Sequence, residues 1–206
     1  MDVEHPPEPL LETVRVAVAA MRDAGVPFLL AGSFAAWARG GPLPQNDLDL
    51  MVKPADAERA LEALAAAGMR TERPPEEWLF KAWRGDVMVD VIFHPAGLEI
   101  NDEVLERADE ISVMAIATPV MALEDMLATK LLSFDEHSLD YRGLLAIARA
   151  LREQIDWEVL VARTRDSPFA KAFFTLVREL GIAPAVGGEA EPQRTHEPAS
   201  RVRVVR

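Results

Sequence analysis

The chain has 206 residues, 50% of them hydrophobic, no cysteine and a formal net charge of −12. That composition excludes disulfides, a thiolate nucleophile and a Cys-based zinc site, and its acidic balance repels a phosphate backbone, which argues against duplex DNA as a partner. No apolar run approaches the about 20 residues that span a bilayer, and the start, Met1-Asp2-Val3-Glu4-His5-Pro6-Pro7, is acidic and Pro-rich rather than signal-like, so a soluble, cytoplasmic protein without a membrane partner is expected.

Periodicity predicts a helix from Pro9 to Ala24, with apolar residues at Leu10, Val14, Val16, Val18 and Met21 and a stop at Gly25. A buried strand follows at Phe28–Ala31. Gly32-Ser33 makes a turn, and Phe34 to Arg39 reads as a short helix. Gly40-Gly41-Pro42-Leu43-Pro44 is a loop, because neither a helix nor a central strand tolerates that mixture. Leu48 to Val52 reads as a strand, and Ala55 to Ala67 as an Ala-rich amphipathic helix closed by Gly68.

Met69 to Thr71 reads as a short strand. Trp78–Trp83 and Val87–Phe93 are extended runs joined by Arg84-Gly85-Asp86, a hairpin pattern. A weak helix is expected at Asp102–Ala108 and a last strand at Ile111–Ile116. From Pro119 onward the pattern is helical: Val120–Phe134, Asp140–Glu153, Trp157–Arg165 and Phe169–Leu180, closed by Gly181. The fold expected is α/β (α+β): a mixed β-sheet core flanked by helices over residues 8–117, a C-terminal helical bundle over 118–181, and a disordered tail over 182–206 with little to bury. No internal repeat is visible.

The chemistry gathers in Asn46-Asp47-Leu48-Asp49-Leu50-Met51-Val52. In a strand, side chains alternate between faces, so Asp47 and Asp49 point one way while Leu48, Leu50 and Val52 point into a core. Two carboxylates at that spacing call for a cation between them, and Mg²⁺ takes one or two carboxylates plus water and substrate phosphate. A third acid, Asp90, stands inside the apolar run Val87–Phe93, where an unpaired charge is costly to bury. If the two strands are neighbours, Asp90 joins Asp47 and Asp49 at one edge of the sheet. Metal-assisted phosphoryl chemistry uses such a set to clamp the attacking and leaving oxygens, and one carboxylate can take the proton of an acceptor hydroxyl. Gly32 lets backbone come close to a ligand, the amides after it open a helix and suit phosphate, and the Ser33 hydroxyl adds a hydrogen bond.

With these residues the chain resembles the nucleotidyltransferase superfamily related to DNA polymerase β. Its signature is a hydrophobic residue, Gly-Gly or Gly-Ser, a short gap, Asp-x-Asp between hydrophobics, and a third Asp on a later strand. Here that reads Ala31-Gly32-Ser33, thirteen intervening residues, Asp47-Leu48-Asp49-Leu50, then Asp90. The likeness is to small bacterial branches, antibiotic nucleotidyltransferases and abortive-infection-type toxins, and covers about Val26 to Ala150. It implies a nucleotidyltransferase α/β core and transfer of a nucleoside monophosphate from an NTP, ATP included, to a hydroxyl, with release of pyrophosphate. The resemblance assigns Asp47, Asp49 and Asp90 to catalysis and to Mg²⁺, and Gly32 and Ser33 to the triphosphate. It adds Lys130, in Ala128-Thr129-Lys130-Leu131-Leu132, as a triphosphate contact, and an antitoxin-like protein as a partner. Many members carry Ser or Thr before the first Asp, where this chain has Pro44-Gln45-Asn46, and of the toxins' later Arg-Asp pair only Asp140 has a counterpart.

Plainer readings stand beside these. Asp90 could be satisfied by an arginine such as Arg84, and Lys130 could be a snorkelling lysine. His94 and His137 read as surface residues, and Trp78, Phe80 and Trp83 as sheet packing rather than a base-stacking platform. The acceptor is either a small-molecule hydroxyl, which suits the acidic charge, or an RNA 3′ end, for which Arg142, Arg149, Arg152, Arg163 and Arg165 could supply a basic face. The alternatives to an enzyme are a catalytically weak or inactive nucleotide-binding module on the same fold, motivated by Gln45-Asn46, and a helical interaction protein with an incidental acidic cluster.

Overall fold

The computed structural model describes residues 5–44, 47–113 and 115–184. Gln45 and Asn46, and the tail from 185 to 206 read above as disordered, lie outside the described residues. The chain opens with α1 (Glu8–Asp23), whose Leu10, Val14, Ala17, Val18 and Met21 form one buried stripe. Burial of each larger side chain contributes about 1.5–3 kcal/mol, which fixes the helix face. Gly25, at φ 60°, closes α1 as the Val26 amide donates to the Met21 carbonyl at 2.9 Å, a left-handed cap that only glycine adopts without cost.

Strand β1 (Phe28–Ala31) runs straight into α2 (Gly32–Ala38). Then come β2 (Asp47–Val52), a 3₁₀ turn at Pro54–Asp56, α3 (Ala57–Ala66), β3 (Arg70–Glu72), β4 (Leu79–Arg84) and β5 (Val87–Ile92). The next elements are α4 (Asp102–Glu106), β6 (Asp109–Val113), β7 (Ile116–Val120), and the helices α5 (Leu123–Leu132), α6 (Arg142–Leu151), α7 (Trp157–Thr164) and α8 (Pro168–Glu179). The seven strands form one mixed sheet in the order β3-β4-β5-β2-β1-β7-β6. Pairings β2–β5 and β1–β7 are parallel, and the others are antiparallel. Helices α1 and α3 lie on the face carrying Leu48, Leu50, Val89, Val91 and Ala82, all fully buried.

The expected mixed sheet flanked by helices is observed. One region differs from the sequence reading. In place of a single strand at Ile111–Ile116 there is a hairpin, β6 and β7, turning at Ala115 with φ 62°. Strand β7 carries the sheet through Val120, whose Cα pairs with Leu30, and α5 begins three residues later than periodicity placed it. Pro119 reads as a boundary because it lacks an N–H, yet it sits in β7 opposite Glu110. After Gly181, Ile182 is buried and its amide donates to the Val177 carbonyl at 2.9 Å.

Candidate functional site

Strand register puts the predicted acids on one face of the sheet. Ala31 lies opposite Asp49 in the β1–β2 pair, Asp49 opposite Asp90 in the parallel β2–β5 pair, and Asp90 opposite Lys81 in the β5–β4 pair. Residues in direct register share a face, so Asp49, Asp90 and Lys81 point to the same side. Asp47, two residues before Asp49, joins them and lies opposite Met88. The opposite face carries Leu48 and Leu50, both fully buried. Alternation in β2 thus delivers two carboxylates to one side and two leucines to the core.

The end of β1 completes this edge. Gly32 has φ 60°, and a Cβ built there would overlap Asp49 Oδ2 and come within 2.7 Å of Asp49 Cγ. The Asp49 carboxylate fills the volume that any other residue at position 32 would need. Beside it, the Ser33 Oγ and Asp47 Oδ1 are both buried with no hydrogen-bond partner. Buried polar atoms are rarely left so, and one stands at the strand-to-helix turn while the other opens β2, two residues before Asp49. Among the described residues, no three or more Asp, Glu or His side chains stand in a ready-made metal cage: Asp49 is turned toward Gly32, and Asp90 is drawn to Lys81.

A family model described as an uncharacterised nucleotidyltransferase matches residues 44–183, well over half of the chain. The chain belongs to this nucleotidyltransferase family. Its fold agrees with solved structures. ANT(2'')-Ia in complex with adenylyl-2''-tobramycin aligns with a TM-score of 0.58 at 17% identity, over 79% of this chain and 98% of that one. The solution structure of the antibiotic-resistance factor ANT(2'')-Ia aligns at 0.58 and 15%, over 83% and 96%. A candidate nucleotidyltransferase of Thermotoga maritima aligns at 0.52 and 14%, over 62% and 86%. At these identities the likeness concerns the fold. No curated protein matches.

The electrostatics of this nucleotidyltransferase's acidic row follow from its geometry. Burial, then the neighbouring charges of Asp47 and Asp90, push the Asp49 carboxyl up to about 7, against the pull of Lys130 and Lys81. Burial also raises Asp90, opposed by the ammonium of Lys81. Lys81 Nζ donates to Asp90 Oδ1 at 3.1 Å, with both side chains largely covered. The partner of Asp90 is therefore Lys81 and not Arg84, which pairs with Glu12 of α1 at 3.5 Å. Sequence reading missed Lys81 because a lysine in a half-buried strand looks like a solvated side chain. The signal that could have found it is the hairpin itself: pairing around Gly85-Asp86 sets Lys81 directly opposite Asp90.

Lys130 is exposed near the C-terminal end of α5, and its charge bears on both Asp49 and Asp140. Asp140 is gripped by the Arg142 guanidinium at 2.7 Å and by its amide, which hold the carboxyl down to about 2. Of the arginines that could have formed a basic face, Arg142, Arg152 and Arg165 pair with neighbouring acids, and Arg163 pairs with Asp125. His94 and His137 are exposed. Phe80 packs on Phe93 at 4.8 Å, while the Trp83 ring carries the Arg70 guanidinium at 3.8 Å.

Asp125 also escaped the sequence reading, because an acid in a helix's first turn looks like an ordinary dipole partner. Its side chain is fully buried and accepts from Arg107 Nη2 at 3.1 Å and from Arg163. One carboxylate thereby ties α5 to α7 and to the residue that ends α4.

Proposed function

We propose that this nucleotidyltransferase moves a nucleoside monophosphate from an NTP, ATP among them, to a hydroxyl of a small molecule. A bond forms between the acceptor oxygen and the α-phosphorus, the bond from that phosphorus to the bridging oxygen breaks, and pyrophosphate leaves. The observation that supports this best is Asp49 and Asp90 in direct register on adjacent strands, with Asp49 seated against Gly32 at the end of β1.

Asp47, Asp49 and Asp90 are assigned to Mg²⁺. The donor set fits a hard cation: oxygen ligands, two from alternate positions of one strand, with Asp47 Oδ1 buried and unpartnered. Bound there, Mg²⁺ supplies charge neutralisation on the phosphate oxygens. The chain's own residues do the rest. Ser33 Oγ, also unpartnered, donates to the triphosphate, and the absence of a side chain at Gly32 lets the phosphates approach the backbone. Lys130 reaches the same polyphosphate from α5. Asp90 uses Oδ2, since Lys81 holds Oδ1, either to bind a second ion or, in place of that, to accept the hydroxyl proton. A small acceptor is favoured over an RNA 3′ end because the net charge of −12 repels an extended phosphate backbone.

The test is transfer of label from each of four α-labelled NTPs to candidate hydroxyl compounds in Mg²⁺, with wild type and Asp49→Ala side by side. Labelling that depends on Asp49 supports the reading; equal labelling by both ends it. The Lys81–Asp90 pair favours one other reading, a nucleotide-binding module without turnover, because the third acid is already neutralised. Calorimetry showing tight NTP binding with no product over long incubation would support that reading, and any Asp49-dependent product rejects it.

A further inference from the structure

We infer that the acceptor is an anionic hydroxyl compound, carrying a carboxylate or phosphate and an apolar or flat part, seated on the open face of β3, β4 and β5 beside Asp90. This rests on the transfer reading above and names the substrate class of that same site.

Direction comes first. In an in-line displacement the attacking oxygen enters opposite the leaving pyrophosphate. If Gly32 and Ser33 at the end of β1 hold the polyphosphate, the acceptor must lie on the other side of the acids, over β5, β4 and β3. Register shows what stands there. The row of Asp49 and Asp90 continues to Lys81 and then Glu72, and the row of Asp47 and Met88 continues to Trp83 and Arg70. On the reverse face of the same strands Ala82 and Val89 are fully buried under α3. On the acid face Lys81, Trp83 and Met88 are only half-buried, and Arg70 and Glu72 are exposed. This is a shelf open to solvent and continuous with the proposed reaction centre.

It offers two cations, Lys81 and Arg70, and one acid, Glu72, around the apolar surfaces of Met88 and Trp83. The ammonium of Lys81 stands 3.1 Å from Asp90 and 3.5 Å from the Met88 sulfur. The Arg70 guanidinium lies 3.8 Å from the centroid of Trp83, within cation–π range. Its only acidic contact among the described residues is Glu72 at 3.5 Å, an exposed pair of the kind that holds weakly. A polyamine brought to Asp90 would meet both cations. An acceptor with an anionic group a few bonds from its hydroxyl would meet Lys81 and Arg70 with opposite charge and lie on Trp83 and Met88.

The experiment follows label from an α-labelled NTP in Mg²⁺ into matched probes: ribose 5-phosphate against ribose, 4-(hydroxymethyl)benzoate against its methyl ester, and tobramycin. The anionic member of each pair is expected to show kcat/KM about tenfold above its neutral partner, the worth of one charge-assisted hydrogen bond, with tobramycin lowest. Arg70→Gln is expected to raise KM for the anionic probes about tenfold with kcat changed less than twofold, and Arg70→Lys to recover part of the loss. Neutral probes or tobramycin labelled as fast as the anions, or a KM unmoved by Arg70→Gln, overturns the inference. So does a protein whose melting point rises with NTP and Mg²⁺ but which labels neither anionic probe. A protein that no NTP stabilises in Mg²⁺ sinks the transfer reading itself and takes the inference with it.

Discussion

The Asp49 carboxylate occupies the space where a Cβ of residue 32 would be: Gly32 opens α2 at the end of β1 while Asp49 lies on β2, and only the missing side chain lets both fit. Gly32 also holds φ 60°, so two independent constraints act at one residue. Gly32→Ala is expected to cost about 1–3 kcal/mol for the backbone conformation alone, plus the displacement of Asp49. In the background of Asp49→Ala the overlap with the carboxylate disappears and only a Cβ contact of 3.2 Å remains, so the same change should cost little beyond the backbone share. Urea unfolding of the four proteins of this cycle measures the difference.

The carboxyl of Asp49, raised from 3.8 to about 7, ties stability to pH. The folded state holds the proton more tightly than the unfolded one. The contribution of Asp49 is therefore fully present below about pH 4 and is lost as pH rises toward 7 and beyond. At pH 8.5 the ionised, buried group costs up to about 4 kcal/mol. In EDTA, Asp49→Asn should be more stable than wild type at pH 8.5, with the gap closing toward pH 4. Urea midpoints at pH 4, 6 and 8.5 check this, and a constant gap would contradict it.

Asp125 is expected to matter for stability rather than chemistry. Asp125→Ala removes the common partner of Arg107 and Arg163 and should destabilise by about 3 kcal/mol, the lower end for breaking a buried pair, because both arginines are partly exposed and can rehydrate. Denaturant unfolding measures it.

Lys81→Met should raise the Asp90 carboxyl further, since the ammonium is what opposes burial there. If Asp90 accepts the acceptor's proton, the acid limb of the kcat/KM profile should move to higher pH by about a unit. An unmoved limb would assign proton removal to another group.

The sheet and the site were not equally legible. The acid row could be read because Asp47, Asp49 and Asp90 interrupt apolar alternation, and a strand with a charge at one face position declares its register. The Gly32-Ser33 turn was legible from the glycine after a buried run. What the sequence hid depends on pairing across the sheet or on helices meeting in space. Lys81 matters only because β4 sets it opposite Asp90. Asp125 matters only because α7 brings Arg163 to it. The β6–β7 hairpin was obscured because Pro119 lies inside β7, and because the turn is made by Ala115 rather than glycine.

The measurement that bears most directly on the three acids is the melting temperature with each NTP, with and without Mg²⁺, for wild type and Asp49→Asn. Wild type should gain about 5–10 °C when nucleotide at a hundredfold excess over Kd and metal are present together. Either one alone should give far less, and Asp49→Asn should lose the joint gain. An equal shift without Mg²⁺, or one that survives Asp49→Asn, would contradict a metal–triphosphate site at this sheet edge.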